Sequence, residues 1–516
     1  MESLLEKPAG EKITFVEAWE LQQEGLEPAY EKEGHQGRRR CYNALRVRDC
    51  AASRLLCSKE GKRRGNKLPD SYEVAATEKV IVTARTLPSL LEGGVCPYAG
   101  EQPLRAAFHL EKGMLSAVRL LPPGAGEGEI LPGPEWRCLS LPPDQLLAPA
   151  FVDCHLHIGL DGVEGFRSFT APPSPQLLLT RLRALAAAGV LAVRDGGDCY
   201  GTAFAAQRLS ADANREAGPL PRIVATGPAI YRRGHYGARL GGEGLDGLEG
   251  LEQEIRQRKD AGAQQLKVIL SGLVSLQQTG KVGPLQFSLP ELQKIVHLAA
   301  AFELPVMVHA SSDAAVRLAV QAGVHSVEHG YFVEEETLRI MAAKGVAWVP
   351  TLAPLAALGA LGPLGKGPDA AGSEAQAAAG DSAIAGHADP AGSAVEPQNT
   401  SVLRRIVEQH LFMLGRARAL GVTVCVGTDG GAPGVSWSGG YWLELALLAR
   451  AGFAPRELLT LAGVNGASLL GLARERGRIA PGKPPYWLCL DMDFLAGRME
   501  RRTLKGIIFP SPEPHA

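Results

Sequence analysis

The chain reads as an α/β protein built on a (β/α)8 barrel, with a small composite β domain and an N-terminal extension. Three observations predict this. From Ala148 to about Leu472, short apolar segments alternate with stretches of helical periodicity. Eight of those segments have strand character, and regular alternation around eight strands favours a closed barrel over an open doubly wound sheet. Residues able to bind metal or carry protons fall at the ends of these segments, where barrel active sites are built.

The eight strands are expected at Pro149–Cys154, Val190–Arg194, Arg222–Thr226, Leu266–Leu270, Val306–Val308, Ser326–Val327, Ala347–Pro350 and Thr423–Val426. Helical stretches such as Leu177–Ala188 and Pro290–Phe302 lie between them. Between the seventh and eighth strands, residues 364–400 are rich in Ala, Gly, Ser and Asp, which reads as a low-complexity surface insertion. His387 within it is read as a loop residue and not a ligand.

Residues 78–147 carry short apolar runs separated by Gly and Pro, among them Val80–Val82, Ala106–Phe108 and Ala117–Leu120. This pattern predicts a small β-sheet region. It is too small to close a core alone. It is expected to pair with C-terminal strands in residues 473–516, at Trp487–Leu490 and Gly506–Phe509, as a composite β-sandwich. Residues 1–77 form a basic extension: Gln36 to Lys67 holds eleven Lys or Arg against two acids, with Cys41, Cys50 and Cys57, and His35 just before. A small metal or iron–sulfur module, a docking segment and a plain solvated arm all fit this composition. No CxxC pair is present to favour the first.

At 516 residues the chain exceeds one compact core, and 45% hydrophobic with 21% charged residues is ordinary for a soluble globular protein. A formal net charge of -1 supplies no field for nucleic acid or membrane, and neither is expected as a partner. Met1–Glu6 has acids where a signal peptide needs bases, so no leader is expected. The uncharged run Val346–Gly365 is broken by Pro350, Pro354 and Pro363, and reads as a buried strand followed by a loop. Nine scattered cysteines, an odd number, suit a reducing cytoplasm.

The strongest motif is Phe151-Val152-Asp153-Cys154-His155-Leu156-His157. Residues two apart on a strand share a face, so His155 and His157 can point together and share one metal. Lys267 opens the apolar run Leu266–Leu270. Such a lysine is ordinarily an edge residue. Beside divalent metals, a lowered pKa would let its neutral amine take up carbon dioxide, giving a carbamate able to bridge two ions. His309 and His329 each end a short apolar strand, and Asp429 follows the eighth strand in Gly427-Thr428-Asp429-Gly430. A bound Zn2+ brings the pKa of its water near neutral. A carboxylate beside it can take the proton from the attacking water and hand it to a leaving amine.

This ordered set resembles the amidohydrolase superfamily, in particular its branch of imidazolonepropionase-related enzymes and Xaa-Pro dipeptidases (prolidases). The resemblance runs from about Val80 to Phe509. It is supported by Arg194-Asp195-Gly196-Gly197, Val327-Glu328-His329-Gly330, Val349-Pro350-Thr351-Leu352 and Gly477-Arg478-Ile479-Ala480-Pro481-Gly482-Lys483. It implies His155 and His157 as ligands of the more buried metal, Lys267 as a carboxylated bridge, and His309 and His329 as ligands of a second metal. Asp429 becomes ligand and proton shuttle, and Tyr231 and His235 hold the substrate or polarise its carbonyl. The implied cofactor is Zn2+, two per chain, and the implied substrate a small amide, cyclic amide or dipeptide, with a homo-oligomer possible. Departures such as Ser271-Gly272-Leu273, Gly463-Val464-Asn465 and Pro484-Pro485-Tyr486 touch substrate loops and the small sheet, not the metal ligands.

Two other readings stay open at this point. One is a single-metal deaminase or cyclic-amide hydrolase of the same superfamily. Such enzymes tend to carry a Glu just after the fifth-strand His, where this chain has Ser311, Ser312 and Asp313. The other is a non-catalytic binding protein that uses its cysteine-bearing arm for docking or redox.

Overall fold

The computed structural model describes residues 70–91, 102–122, 133–161, 171–214, 218–275, 278, 280–359 and 397–511. His35, Cys41, Cys50 and Cys57 of the extension, and His387 with nearly all of the 364–400 insertion, lie outside the described residues. Fifteen strands occur among those described: β1 (Asp70–Val74), β2 (Lys79–Thr86), β3 (Leu104–Glu111), β4 (Met114–Leu120), β5 (Trp136–Ser140), β6 (Gln145–Pro149), β7 (Phe151–Leu156), β8 (Val190–Asp195), β9 (Arg222–Ala225), β10 (Leu266–Ile269), β11 (Val306–Ser312), β12 (Ser326–Phe332), β13 (Ala347–Val349), β14 (Trp487–Asp491) and β15 (Leu504–Pro510).

Eight of them form one sheet in the order β1-β15-β14-β6-β2-β3-β4, with β5 also beside β2. The C-terminal strands therefore join the N-terminal ones in one sheet, β15 through β1 and β14 through β6. The hydrogen bonds run continuously, since β2 pairs with β3 on one side and with both β5 and β6 on the other, and residues of non-neighbouring strands, Phe108 and Trp487, meet at 5.4 Å. Alternation along β2 sends Val80 and Val82 to one face and Ile81 to the other. The first face packs with Phe108, Leu147, Trp487 and Ile508, and the second with Ala107 and Leu121. The first strand, Asp70–Val74, runs parallel to β15, so the sheet begins inside the stretch assigned to the extension.

The remaining strands are parallel and lie in two sheets, β7-β8-β9 and β10-β11-β12-β13. They are mostly buried and contain apolar runs such as Val190-Leu191-Ala192-Val193, as expected where both faces are covered. Helices separate most of them. Ser174 caps Pro175–Ala187 through Leu177 N–H, Ser288 and Glu291 form a capping box on Leu289–Ala301, and Ser312 caps Asp313–Ala322 through Ala315 N–H.

Bonds connect the two sheets on both sides. On one side, Gln264 N–H donates to Ala225 O, and Ile230 bridges to Val268. On the other, Cys425 N–H donates to Trp348 O and Cys154 N–H to Val426 O, at 2.9 and 2.8 Å. The segment Thr423–Val426 thus lies between β13 and β7, held by an isolated bridge and not by a full ladder. The close packing just after it requires glycine: a Cβ on Gly427 would stand 2.3 Å from Val349 Cγ1 and 3.0 Å from His155 Cβ. Two other boundaries differ from the sequence reading. Pro149–Cys154 is not one strand, since Pro149 ends β6 while Ala150 N–H turns to Tyr486 O and Phe151 N–H to Gly189 O. After β13 the chain forms the helix Ala353–Leu358, because the Glu444 carboxylate accepts Leu352 and Ala353 N–H at its start.

Candidate active site

The ends of these strands converge on one cavity. Its floor carries His157, Lys267, His309, His329 and Asp429, with His155 directly beneath. Strand alternation brings His155 and His157 to one face of β7, with their Nε2 atoms 3.4 Å apart. Asp429 Oδ1 lies 3.6 Å from His155 Nε2 and 3.5 Å from His157 Nε2. Lys267 Nζ is 3.5 Å from His155 Nε2. The His309 and His329 rings stand 4.5 Å apart, and His155 is 5.1 Å from His329. Six residues from five segments thus meet in one place.

Burial sets the protonation of the group. It pushes His157 and His309 down to about 3, aided by the charge of Lys267, and holds His155 and His329 well below the usual imidazole value. All four rings are therefore neutral near pH 7 and keep a lone pair. The far nitrogens are committed elsewhere: His157 Nδ1 donates to Gly197 O at 2.7 Å, His155 Nδ1 meets Glu328 Oε2 at 2.8 Å, and His329 Nδ1 meets Thr351 Oγ1 at 2.6 Å. This leaves Nε2 of these three to face the centre. His309 differs, with Nε2 3.4 Å from Gly272 O. Burial lowers Lys267 to about 8 against the pull of Glu328, and raises Asp429 to about 6 against the pull of Lys267.

Neutral imidazoles facing a carboxylate across 3.5 Å, with no proton to share, are a donor set suited to a cation. The oxygen and nitrogen donors of His155, His157 and Asp429 lie within 4.8 Å of one another, close enough to hold one ion. Nitrogen with carboxylate oxygen is the donor chemistry of Zn2+ and related divalent metals. The residues present fit such a metal.

A second layer of buried polar groups fixes the first. Glu328 accepts from Arg194 Nη2 at 2.8 Å and from Ser326 Oγ at 2.5 Å, while turning its other oxygen to His155. Arg194 also donates to Cys154 O and Gln265. Asp153, raised by burial to about 7, accepts Thr428 Oγ1–H and the N–H groups of His155 and Thr428. Asp195, also raised by burial to about 7, accepts Ile158 and Gly197 N–H. Three residues here, His329, Thr351 and Asp429, hold positive φ of 70°, 49° and 52°. Such strain costs about 1–3 kcal/mol each and is characteristic of functional sites.

The structure does not bring Tyr231 or His235 to the cavity wall. The Tyr231 hydroxyl donates to Gly242 O, and its ring packs with Leu160, Leu240 and Ile269. Tyr236, five residues on, lines the cavity with its ring 5.4 Å from His309. Sequence reasoning passed over Tyr236, because loop residues carry no periodicity. It also passed over Glu328 and Arg194 as site residues, although an acid and a base inside apolar strands were the available signal.

Residues 146–499 match the family model described as "Amidohydrolase family". The chain is 26% identical to the ochratoxinase of Aspergillus niger over 355 residues, 63% of this chain and 66% of that one, so it spans just under two thirds of that relative. Among solved structures it is similar to A. niger ochratoxinase, with a TM-score of 0.61 and 21% identity over 84% of this chain and 95% of the other. It is also similar to a Xaa-Pro dipeptidase solved with bound methionine in the active site, with a TM-score of 0.59 and 20% identity over 83% and 99%.

Proposed function

The chain belongs to the amidohydrolase family, and on that premise we propose that it is a metal-dependent hydrolase of carbon–nitrogen bonds in small amides, cyclic amides or dipeptides. The observation that carries this is the Asp429 carboxylate set 3.5–3.6 Å from two neutral, oriented imidazoles above a buried lysine. We read the ring of inter-sheet bonds as the closed (β/α)8 barrel and the cavity as its mouth.

His155, His157 and Asp429 would hold one divalent ion, with His309 and His329 providing for a second. Bound there, such metals supply Lewis acidity and lower the pKa of water. Lys267, near pKa 8, is in part a free amine at neutral pH. As a carbamate it would offer two oxygens between the paired sites.

The chain's own residues do the rest. Asp429 takes a proton from the attacking water and returns it to the departing nitrogen. In the balanced reaction, water adds across the C–N bond. The carbonyl carbon leaves as a carboxylic acid and the nitrogen as an amine. Glu328 holds the His155 ring, and Thr351 holds His329. The Tyr236 phenol, on the cavity wall beside His309, is placed to donate to the substrate carbonyl oxygen.

Hydrolysis of a panel of amides, lactams and dipeptides, run with zinc-reconstituted and chelated protein, tests this reading. Release of an amine from at least one substrate, abolished by chelation and restored by zinc, is expected. Turnover that survives complete chelation would remove the metal from the account.

A further inference from the structure

The walls above the floor differ sharply from the floor. Leu160, Leu240, Leu273, Val274, Leu355 and Leu358 form most of them. Among the described residues lining the cavity, the only non-histidine cation is Lys267 and the only anion is Asp429. Both sit at the floor, within 3.6 Å of His155. Among the described residues, the walls offer a substrate no guanidinium, ammonium or carboxylate. The Tyr331 hydroxyl is committed to Thr351 O. Two polar groups remain: the Tyr236 phenol on the wall, and Ser311, a buried lining residue whose Oγ has no hydrogen-bond partner among the described residues. Ser311 N–H is taken by Ser271 Oγ at 3.1 Å, but the hydroxyl is left over.

We infer, resting on the hydrolase reading above, that the site selects a neutral amide with apolar groups on both sides of the scissile bond, hydrogen-bonded by Ser311, over a zwitterionic dipeptide. A dipeptide brings a carboxylate and an ammonium out of water. An ionic group buried without a partner costs far more than an apolar one, and these walls contain no partner. An apolar flank instead gains from burial against leucine and valine. A buried hydroxyl left unmet in the empty cavity is satisfied by an amide oxygen or nitrogen, which gives the substrate one orientation.

The test uses three compounds sharing two phenyl flanks: N-benzylbenzamide (neutral), N-benzoylphenylalanine (anionic) and phenylalanylphenylalanine (zwitterionic). Their ketone isosteres, which cannot be hydrolysed, are measured for binding by calorimetry on the zinc-loaded full chain. The neutral amide should exceed the dipeptide in kcat/KM by about 10²-fold, with the isosteres ranked alike. Leu358→Arg, at a half-buried wall position, should narrow the gap by raising the anionic compound. Ser311→Ala should lower the affinity of the neutral isostere about tenfold with metal content unchanged. A dipeptide turned over or bound as well as the neutral compound would overturn the inference and leave the hydrolase reading standing. If no amide is hydrolysed, the hydrolase reading fails, while the isostere ranking still decides what the cavity accepts.

Discussion

The composite sheet and the cavity floor bury side chains equally well but for different ends. In the sheet, Val80, Val82, Phe108 and Ile508 meet other apolar groups, and Phe108 packs its ring 5.4 Å from Trp487. At the floor, four histidines and a lysine are buried and Asp429 is half-buried, with Glu328, Arg194, Asp153 and Asp195 buried behind them. The sheet's burial is favourable in itself. The floor's burial moves nearly every titratable group towards its neutral form and places three residues at positive φ. A chain selected only for stability would replace this arrangement with apolar residues. The difference teaches that the sheet sets how stable the fold is, while the floor gives up stability for a ligand and a reaction.

The largest expected effect that sharpens this contrast is at Asp429. Asp429→Asn keeps the size and the left-handed backbone that Asn tolerates, but cannot take up a proton near neutral pH. Steady-state kinetics should show kcat lower by a factor of about 10²–10⁴, with little change in the unfolding midpoint. A wild-type rate would move the proton transfer to another group. In the sheet the pattern should invert. Phe108→Ala should cost about 3–5 kcal/mol in denaturant unfolding, with kcat per folded molecule unchanged. If activity falls in step with the Asp429 variant, the two regions are not separable.

Glu328→Gln probes the layer between them. It removes the anion facing the buried Arg194 and the oxygen that orients His155. Both readouts should move, with stability lower by about 3–5 kcal/mol and metal content reduced. A stable variant with full metal would make Glu328 a bystander.

The smallest effect concerns Glu444, which burial raises from 4.5 to about 8 while it accepts Leu352 and Ala353 N–H. Its folded pKa lies above its unfolded one, so the protein binds this proton more tightly when folded. The contribution to stability is complete below about pH 4.5 and is lost as pH rises towards about 8. Asp153 and Asp195, each raised to about 7, act in the same direction. Glu444→Gln should flatten this decline in urea melts across pH 5–9 and cost about 1–3 kcal/mol for the amide N–H left unmet. An unchanged slope would assign the decline to the aspartates alone.

Much of this was legible in the sequence because two periodicities carry it. Alternation placed His155 and His157 together, and the ends of apolar runs picked out His309, His329 and Asp429. That Val80–Val82 share a sheet and a core with distant C-terminal strands also followed from apolar runs too few to close a core. Other features left no local trace. Glu328 meets Arg194 across 134 residues and His155 across 173, and nothing in the chain links them before folding. Tyr236 and not Tyr231 reaches the cavity because the loop turns the Tyr231 hydroxyl to Gly242. Asp70–Val74 sits at the end of a basic segment whose charge masks a short strand.

The account stands most directly on the metal content of the full chain, purified without chelators and analysed by elemental mass spectrometry beside a His155→Ala/His157→Ala variant. It predicts about two zinc-type ions per chain in the native protein and the loss of at least one in the variant, with amide hydrolysis following the ions. One ion per chain would reduce the floor to the site formed by His155, His157 and Asp429. No ion at any reconstitution, with amide hydrolysis intact, would contradict it.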